Sequence, residues 1–242
     1  MADLLAAYPR LGEAISELCA GQSWRFTGAS VLVRDATHLY LEITKPRHWH
    51  RRADGTLVAG IGAIGGSLEG DEGVLACLRR EVAEEIDSSV ILRPATETHL
   101  VYEQRAIRTV ALPPSRPSAA ERVDEVPAPV LCTVSRNLYR RQALPDAQVL
   151  AIATFWAELT GPPRLGDLFG LLALPRDALE TVLAVPPPSV AAVRSIPGVR
   201  LTTRRPMEGD ALLAPVWTTR SLQILLQAGR LRWPSTGPAA FL

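Results

Sequence analysis

Three glutamates, Glu81, Glu84 and Glu85, are spaced i, i+3 and i+4 in a stretch with helical patterning. On a helix their side chains share an arc of roughly 100°. Leu75, Leu78, Val82 and Ile86 fall on the adjacent stripe, which would anchor such a helix on a sheet. Carboxylates crowded in this way repel one another, at roughly a few tenths of a kcal/mol per exposed pair, unless a cation sits among them. Hard divalent ions such as Mg²⁺ take oxygen ligands of this kind and share them with substrate phosphates. Just upstream, Gly65-Gly66 closes an apolar stretch, and glycine lets backbone amides and carbonyls approach an ion or a phosphate closely. These parts suit attack of water on phosphorus. The metal neutralises phosphate charge and lowers the pKa of the water, and a spare carboxylate takes the proton. An Arg/Glu-rich string such as residues 80–85 is, taken alone, more often a solvated helix face. Here the pattern runs further. Gly66 is followed after five residues by Glu72, and after seven more by Arg80-Glu81, an aliphatic residue, a spacer and two adjacent glutamates.

The elements that must position these groups are also legible. Leu4, Leu5, Leu11, Ile15 and Leu18 recur at roughly helical spacing and predict one or two short helices over 4–20. Residues 26–34 and 38–44, rich in β-branched and aromatic side chains and separated by Asp35-Ala36-Thr37, predict a β-hairpin. A polar, basic connection over 45–56 precedes one glycine-broken strand over 57–64. A helix is expected over about 72–86, and strands over 98–104, 130–136, 149–159 and 169–174. The five prolines of 113–129 mark a long exposed loop. Pro186-Pro187-Pro188 is a second punctuation point, and an amphipathic helix is expected over 218–228. Strands, one strong helix, more strands and a helical end make an α/β chain of α+β order with a mixed sheet.

Composition bounds the alternatives. The 242 residues are 47% hydrophobic and 21% charged, enough apolar material for a real core. A formal net charge of +1 argues against a nucleic-acid coat protein or an acidic-tail binder. Lys45 is the only lysine; the remaining basic charge is arginine. Cys19, Cys77 and Cys132 are far apart, odd in number and without a CxxC pair, so they read as buried small residues in a reducing compartment rather than as a disulfide framework or a zinc site. Asp3 and Pro9 interrupt the N-terminus, which does not look like a secretory signal, and no apolar run approaches membrane-spanning length. A cytoplasmic protein is expected.

The arrangement resembles the Nudix box, GX5EX7REUXEEXGU with U aliphatic: Gly66, Glu72, Arg80, Glu81, Val82, Glu84 and Glu85 occupy their places. The resemblance implies a Nudix α/β/α sandwich with a mixed sheet over residues 24–175, flanked by an N-terminal helical segment (1–23) and a C-terminal helical extension (176–242). It implies hydrolysis of a diphosphate linkage in a nucleoside diphosphate derivative, with Mg²⁺ or Mn²⁺ as cofactor, and a homodimer, since the family is often dimeric. The carbonyl of Gly65 and the carboxylates of Glu84 and Glu85 would bind the metal, Glu81 would be a ligand or the base, and Arg80 and Glu72 would orient the others. A further acid outside the box commonly contributes, and the candidates are Glu121, Asp124, Glu125 and Glu158. Asp87 and Ser88 depart from the glycine and aliphatic residue that close the pattern. The glycine ends the helix with φ > 0, which aspartate tolerates better than most residues.

Other residues carry weaker signals. His48-Trp49-His50 with Arg47, Arg51 and Arg52 could grip phosphate or stack on a base, or be a solvated loop. Trp24 and Phe26 read as core or dimer-contact residues. Residues 176–242 hold eight arginines against four acids, so a nucleotide-sensing regulator whose extension binds DNA or a protein is the second reading. The intact carboxylate set favours the enzyme, with a small nucleotide-type substrate and neither membrane nor nucleic acid as partner.

Overall fold

A computed structural model describes residues 4–112, 126–137 and 146–231. Two short helices, α1 (Leu4–Ala7) and α2 (Pro9–Leu18), precede the hairpin of β1 (Trp24–Arg34) and β2 (His38–Ile43). Next come β3 (His50–Arg51), β4 (Leu57–Gly62), β5 (Ile64–Ser67) and the helix α3 (Val74–Ile86). The strands β6 (Val90–Arg93), β7 (Glu97–Tyr102), β8 (Ala106–Ala111), β9 (Leu131–Arg136), β10 (Val149–Leu159) and β11 (Gly170–Pro175) follow. The chain closes with α4 (Leu179–Val182), α5 (Val190–Arg194), β12 (Arg200–Thr203), β13 (Leu212–Pro215) and α6 (Trp217–Gln227). Among the described residues no helix is long and apolar enough to cross a membrane.

The sheet is mixed. Its main path runs β12-β11-β2-β1-β10-β9-β7-β8, with β4, β5 and β6 branching from it and β3 and β13 paired to β4. β1 lies parallel to β10 and β7 parallel to β9, while β2, β11 and β12 are antiparallel neighbours. The stretch expected as one strand over 57–64 is two strands, because the chain changes neighbours at Ala63: β4 pairs with β2 and β5 pairs with β1. The hairpin turn is held by Asp35, whose Oδ1 accepts from the backbone N–H groups of Thr37 and His38, both at 2.7 Å, a turn that a short acidic side chain makes readily.

Alternation along the strands feeds two cores. In β1, Ala29, Val31 and Val33 face one core and Leu32 the other; in β10, Phe155 and Trp156 likewise part company. The first core takes α1, α2 and α3, with Leu11, Ile15, Leu78 and Ile86 fully buried. The second takes residues of α4, α5 and α6, among them Leu179, Val193, Leu222 and Leu225. Helices therefore cover both faces of the sheet, an α/β/α sandwich, and its second helical layer is drawn from residues 179–227. Trp24 and Phe26 pack edge to face at 5.5 Å against the first core. Cys19, Cys77 and Cys132 are buried free thiols.

α6 is tied down by hydroxyls as well as by leucines. The Thr218 hydroxyl lies 3.1 Å from that of Ser30, which is 2.9 Å from Thr154, and Thr133 donates to Ser221 at 2.9 Å. Buried hydroxyls must find such partners or be destabilising. Leu222 is fully buried among strand residues, so Leu222→Ala is expected to lower unfolding free energy by about 2–5 kcal/mol in a urea titration. A loss under about 1 kcal/mol, as for an exposed position, would mean that α6 is peripheral to the fold.

Candidate active site

α3 opens at Val74, not at residue 72, because Gly73 is extended and Glu72 stays in the preceding turn, where its carboxylate accepts from the Glu69 N–H at 3.2 Å. The helix lies against β5, which Gly66 makes possible, while Gly65 allows the close pairing of β5 with β1. A Cβ on Gly66 would stand 2.2 Å from a carboxylate oxygen of Glu81, and one on Gly65, whose φ is +142°, would stand 2.2 Å from the Ala29 carbonyl. Across this contact the Gly65 N–H donates to Glu85 Oε2 at 2.8 Å.

Arg80 is the hub of the outer acids. Its guanidinium meets Glu72 at 2.9 Å, Glu81 at 2.8 Å and Glu84 at 3.5 Å, and donates to the Ser67 carbonyl at 3.0 Å. The hydrogen bond from Arg80 lowers the pKa of Glu72 below the usual carboxylate range. All the box residues expected at the site therefore stand on one loop and one helix face. Glu84 is the exposed member, its side chain 52% accessible, whereas Glu81 is at 13% and Glu85 is buried.

The far end of α3 is closed by residues 160–167. The N–H groups of Arg164, Gly166 and Asp167 donate to the carbonyls of Ile86 (2.9 Å), Glu85 (3.0 Å) and Glu84 (2.7 Å), three acceptors that a helix end otherwise leaves unpaired. Gly166 is indispensable here, since a Cβ would stand 1.9 Å from the Glu84 carbonyl oxygen. Arg204 donates to the carbonyls of Leu168, at 2.7 Å, and Gly166, bracing the same loop. Asp87 ends the helix at φ +40°, in the left-handed region where the box has glycine.

Two acids that the sequence pattern did not single out join the cluster. Glu42, on β2, points at the α3 side of the sheet beneath Gly62, where a Cβ would be 2.3 Å from its carboxylate. Asp167, delivered by the capping loop, pairs with Lys45 Nζ at 2.5 Å, so the one lysine of the chain stands at this site. Strand alternation could have flagged Glu42, which shares a face with Tyr40 and opposes Leu41 and Ile43. Nothing in the spacing marks Asp167.

Burial, then the charge of Glu42, pushes the Glu85 carboxyl up to about 9 against the Gly65 amide. Burial, with the charges of Glu81 and Asp167, raises Glu42 to about 7 although Lys45 opposes the shift. Burial also raises Glu81, against Arg80. The inner acids thus hold protons that ordinary carboxyls shed.

The other candidates stand elsewhere. Glu158 is bound by Arg34 at 2.5 Å and Arg93 at 2.6 Å; burial opposes the shift, but these arginines hold its pKa low. Glu121, Asp124 and Glu125 lie outside the described residues. The Trp49 indole donates to the Thr44 carbonyl at 2.8 Å and meets Phe169 edge-on at 4.9 Å, a packed rather than stacking-ready ring.

No family model matches the chain, and no curated protein is similar to it. Among solved structures, a NUDIX family hydrolase from Clostridium perfringens is similar over 66% of this chain and 85% of its own, at 12% identity and a TM-score of 0.36. A NUDIX hydrolase from Nitrosomonas europaea matches over 65% and 77% at 12% identity and 0.33. A MutT protein from Bacillus halodurans matches over 64% and 71% at 15% identity and 0.30.

A carboxyl whose folded pKa is raised stabilises the fold fully below its unfolded value, here 4.5, and that contribution is lost as pH rises through the folded value. With metal withheld, the melting temperature is therefore expected to fall between about pH 5 and pH 9, and Glu85→Gln to flatten the slope. A pH profile identical in the wild type and the variant would show that Glu85 is not under this strain.

Proposed function

We propose that the chain is a Nudix-type hydrolase that cleaves the diphosphate linkage of a nucleoside diphosphate derivative by attack of water on phosphorus. The observation that carries this reading is the crowded carboxylate set of buried Glu85 and half-buried Glu42 and Glu81, pressed against a glycine loop at the face of α3. Among the described residues no three Asp, Glu, His or Cys side chains converge on one point as they stand, since Glu81 is turned onto Arg80 and Glu85 onto the Gly65 amide. The donor set is nevertheless all oxygen, with more negative charge than Arg80 and Lys45 offset, and it fits Mg²⁺ or Mn²⁺ in chemistry. Glu84, Glu85 and the Gly65 carbonyl would hold the ion, with Glu42 and Asp167 close by. When bound, the metal supplies charge neutralisation for the phosphates and acidifies water.

The remaining work falls to the chain itself. Glu72 fixes Arg80, and Arg80 orients Glu81 and Glu84. Glu81, its carboxyl raised by burial, is placed to accept the proton of the attacking water. Lys45, beside Asp167, provides positive charge for a substrate phosphate. We also assign the chemistry to residues 24–175, with residues 176–231 supplying the second helical layer that backs the sheet.

The test is a screen of nucleoside diphosphate derivatives for Mg²⁺- or Mn²⁺-dependent cleavage. Glu84→Gln and Glu85→Gln are expected to cut kcat by about 10²-fold or more, while Glu85→Gln leaves metal-free thermal stability unchanged or higher because it removes a crowded acid. Full activity in both variants, or no cleavage of any diphosphate by the wild type, would overturn the assignment.

A further inference from the structure

The α3 side of the sheet is not covered uniformly. Past Glu42, toward the β12 edge, a cleft of about 600 Å³ opens. Its floor is Tyr40, Leu171, Ala173, Arg200 and Thr202, and its wall is residues 159–163. The strand register sets where this cleft lies relative to the acids. Leu171 is the direct partner of Glu42, Thr202 is the partner of Leu171, and Tyr40, Ala173 and Arg200 form the next row. The cleft floor therefore begins in the row of Glu42 itself, at Leu171 and Thr202, and its second row lies roughly 7 Å further along the strands. Its wall continues into the loop that carries Asp167.

The cleft is therefore where the organic group attached to a diphosphate held at the acids would come to rest, and its volume is that of an ordinary small-molecule site. Its polar lining is biased. Asp35 has no free acceptor capacity of consequence: Oδ1 takes the N–H groups of Thr37 and His38 and the Thr37 hydroxyl, and Oδ2 takes the Tyr40 hydroxyl at 2.5 Å. Arg200, by contrast, is exposed and, among the described residues, makes one long hydrogen bond, 3.4 Å, to the Tyr40 hydroxyl. A guanidinium offers five donors and no acceptor. Leu159, Pro162, Pro163, Leu171 and Ala173 offer apolar surface for a flat ring, and proline has no N–H to give.

We propose that this cleft binds the base of the nucleotide and that Arg200 selects bases with a carbonyl oxygen at purine position 6 or pyrimidine position 4, guanine or uracil, over adenine and cytosine, which carry an amino group there. The inference rests on the hydrolase reading for the position of the diphosphate but is tested without hydrolysis. Nucleoside monophosphates contain no anhydride to cleave, so GMP, UMP, AMP and CMP can each be titrated calorimetrically into the full chain with Mg²⁺ present. GMP or UMP is expected to bind about tenfold more tightly than AMP and CMP, the discrimination one well-placed arginine provides. GMP against UMP then separates a purine from a pyrimidine site. Arg200→Ala should bring the four to parity, and Thr202→Trp, at an exposed position on the floor, should weaken all four, with thermal melts confirming that both variants fold. Equal binding of the four bases by the wild type, or unchanged selectivity in Arg200→Ala, overturns the proposal. Arginine-dependent base selectivity in a chain that cleaves no diphosphate would leave the cleft assignment standing and bring down the hydrolase reading alone.

Discussion

The close approach of β5 to α3 governs this structure. With Gly66 in place of a larger residue, Glu81 lies against backbone at the face of α3, and Glu81 and Glu85 are drawn out of the water that would otherwise screen them, while Glu84 stays exposed. The glycines leave no choice, because a Cβ on Gly66 would occupy the volume of Glu81 on α3 and one on Gly65 that of the Ala29 carbonyl on β1. Gly62 repeats the device beneath Glu42. Glycine here is a means of bringing acids together, and the cost in electrostatic repulsion is carried by the surrounding fold.

That cost is met by fixing α3 at both ends. Arg80 ties the start of the helix to the loop through Glu72 and Ser67. Residues 164–167 cap its last carbonyls, with Arg204 behind them. Between the two, Cys77, Leu78, Val82 and Ile86 are buried against the first core. The second core, with its hydroxyl contacts from α6 to Ser30, Thr133 and Thr154, holds the opposite face of β1 and β10. Since β1 carries β5 along one edge, a rigid β1 transmits that support to the glycine loop.

Much of this was legible in the residues. Period 3.6 marked α3 and α6, period 2 and β-branched composition marked β1, β2, β9 and β10, and the spacing of glycine, arginine and glutamates marked the site. What escaped did so for physical reasons. β6, β12 and β13 are four residues each, too short for alternation to declare itself. α6 buries Thr218, Thr219 and Ser221, residues whose polarity alone would place them at the surface. Glu42 and Asp167 reach the cluster through the register of β2 and through hydrogen bonds to the end of α3, long-range facts that no local spacing encodes. Lys45, a compositional oddity in the chain, finds its meaning only once Asp167 is beside it.

The acids divide by access to Arg80. Glu72, Glu81 and Glu84 share its guanidinium, a planar donor always charged and able to serve several carboxylates at once. Glu85 and Glu42 have no such arginine partner among the described residues, and the positive charge that acts on Glu42 is Lys45, already engaged by Asp167. The outer acids are consequently satisfied by the chain itself, whereas the inner pair is satisfied only by protons or by a charge brought from outside. An arrangement serving stability alone would place an apolar residue or a second arginine at these inner positions, because buried, unmatched carboxylates destabilise a fold. Under the proposed hydrolase reading, leaving them uncompensated beside a glycine loop makes room for a cation, with Arg80 holding Glu81 and Glu84 alongside.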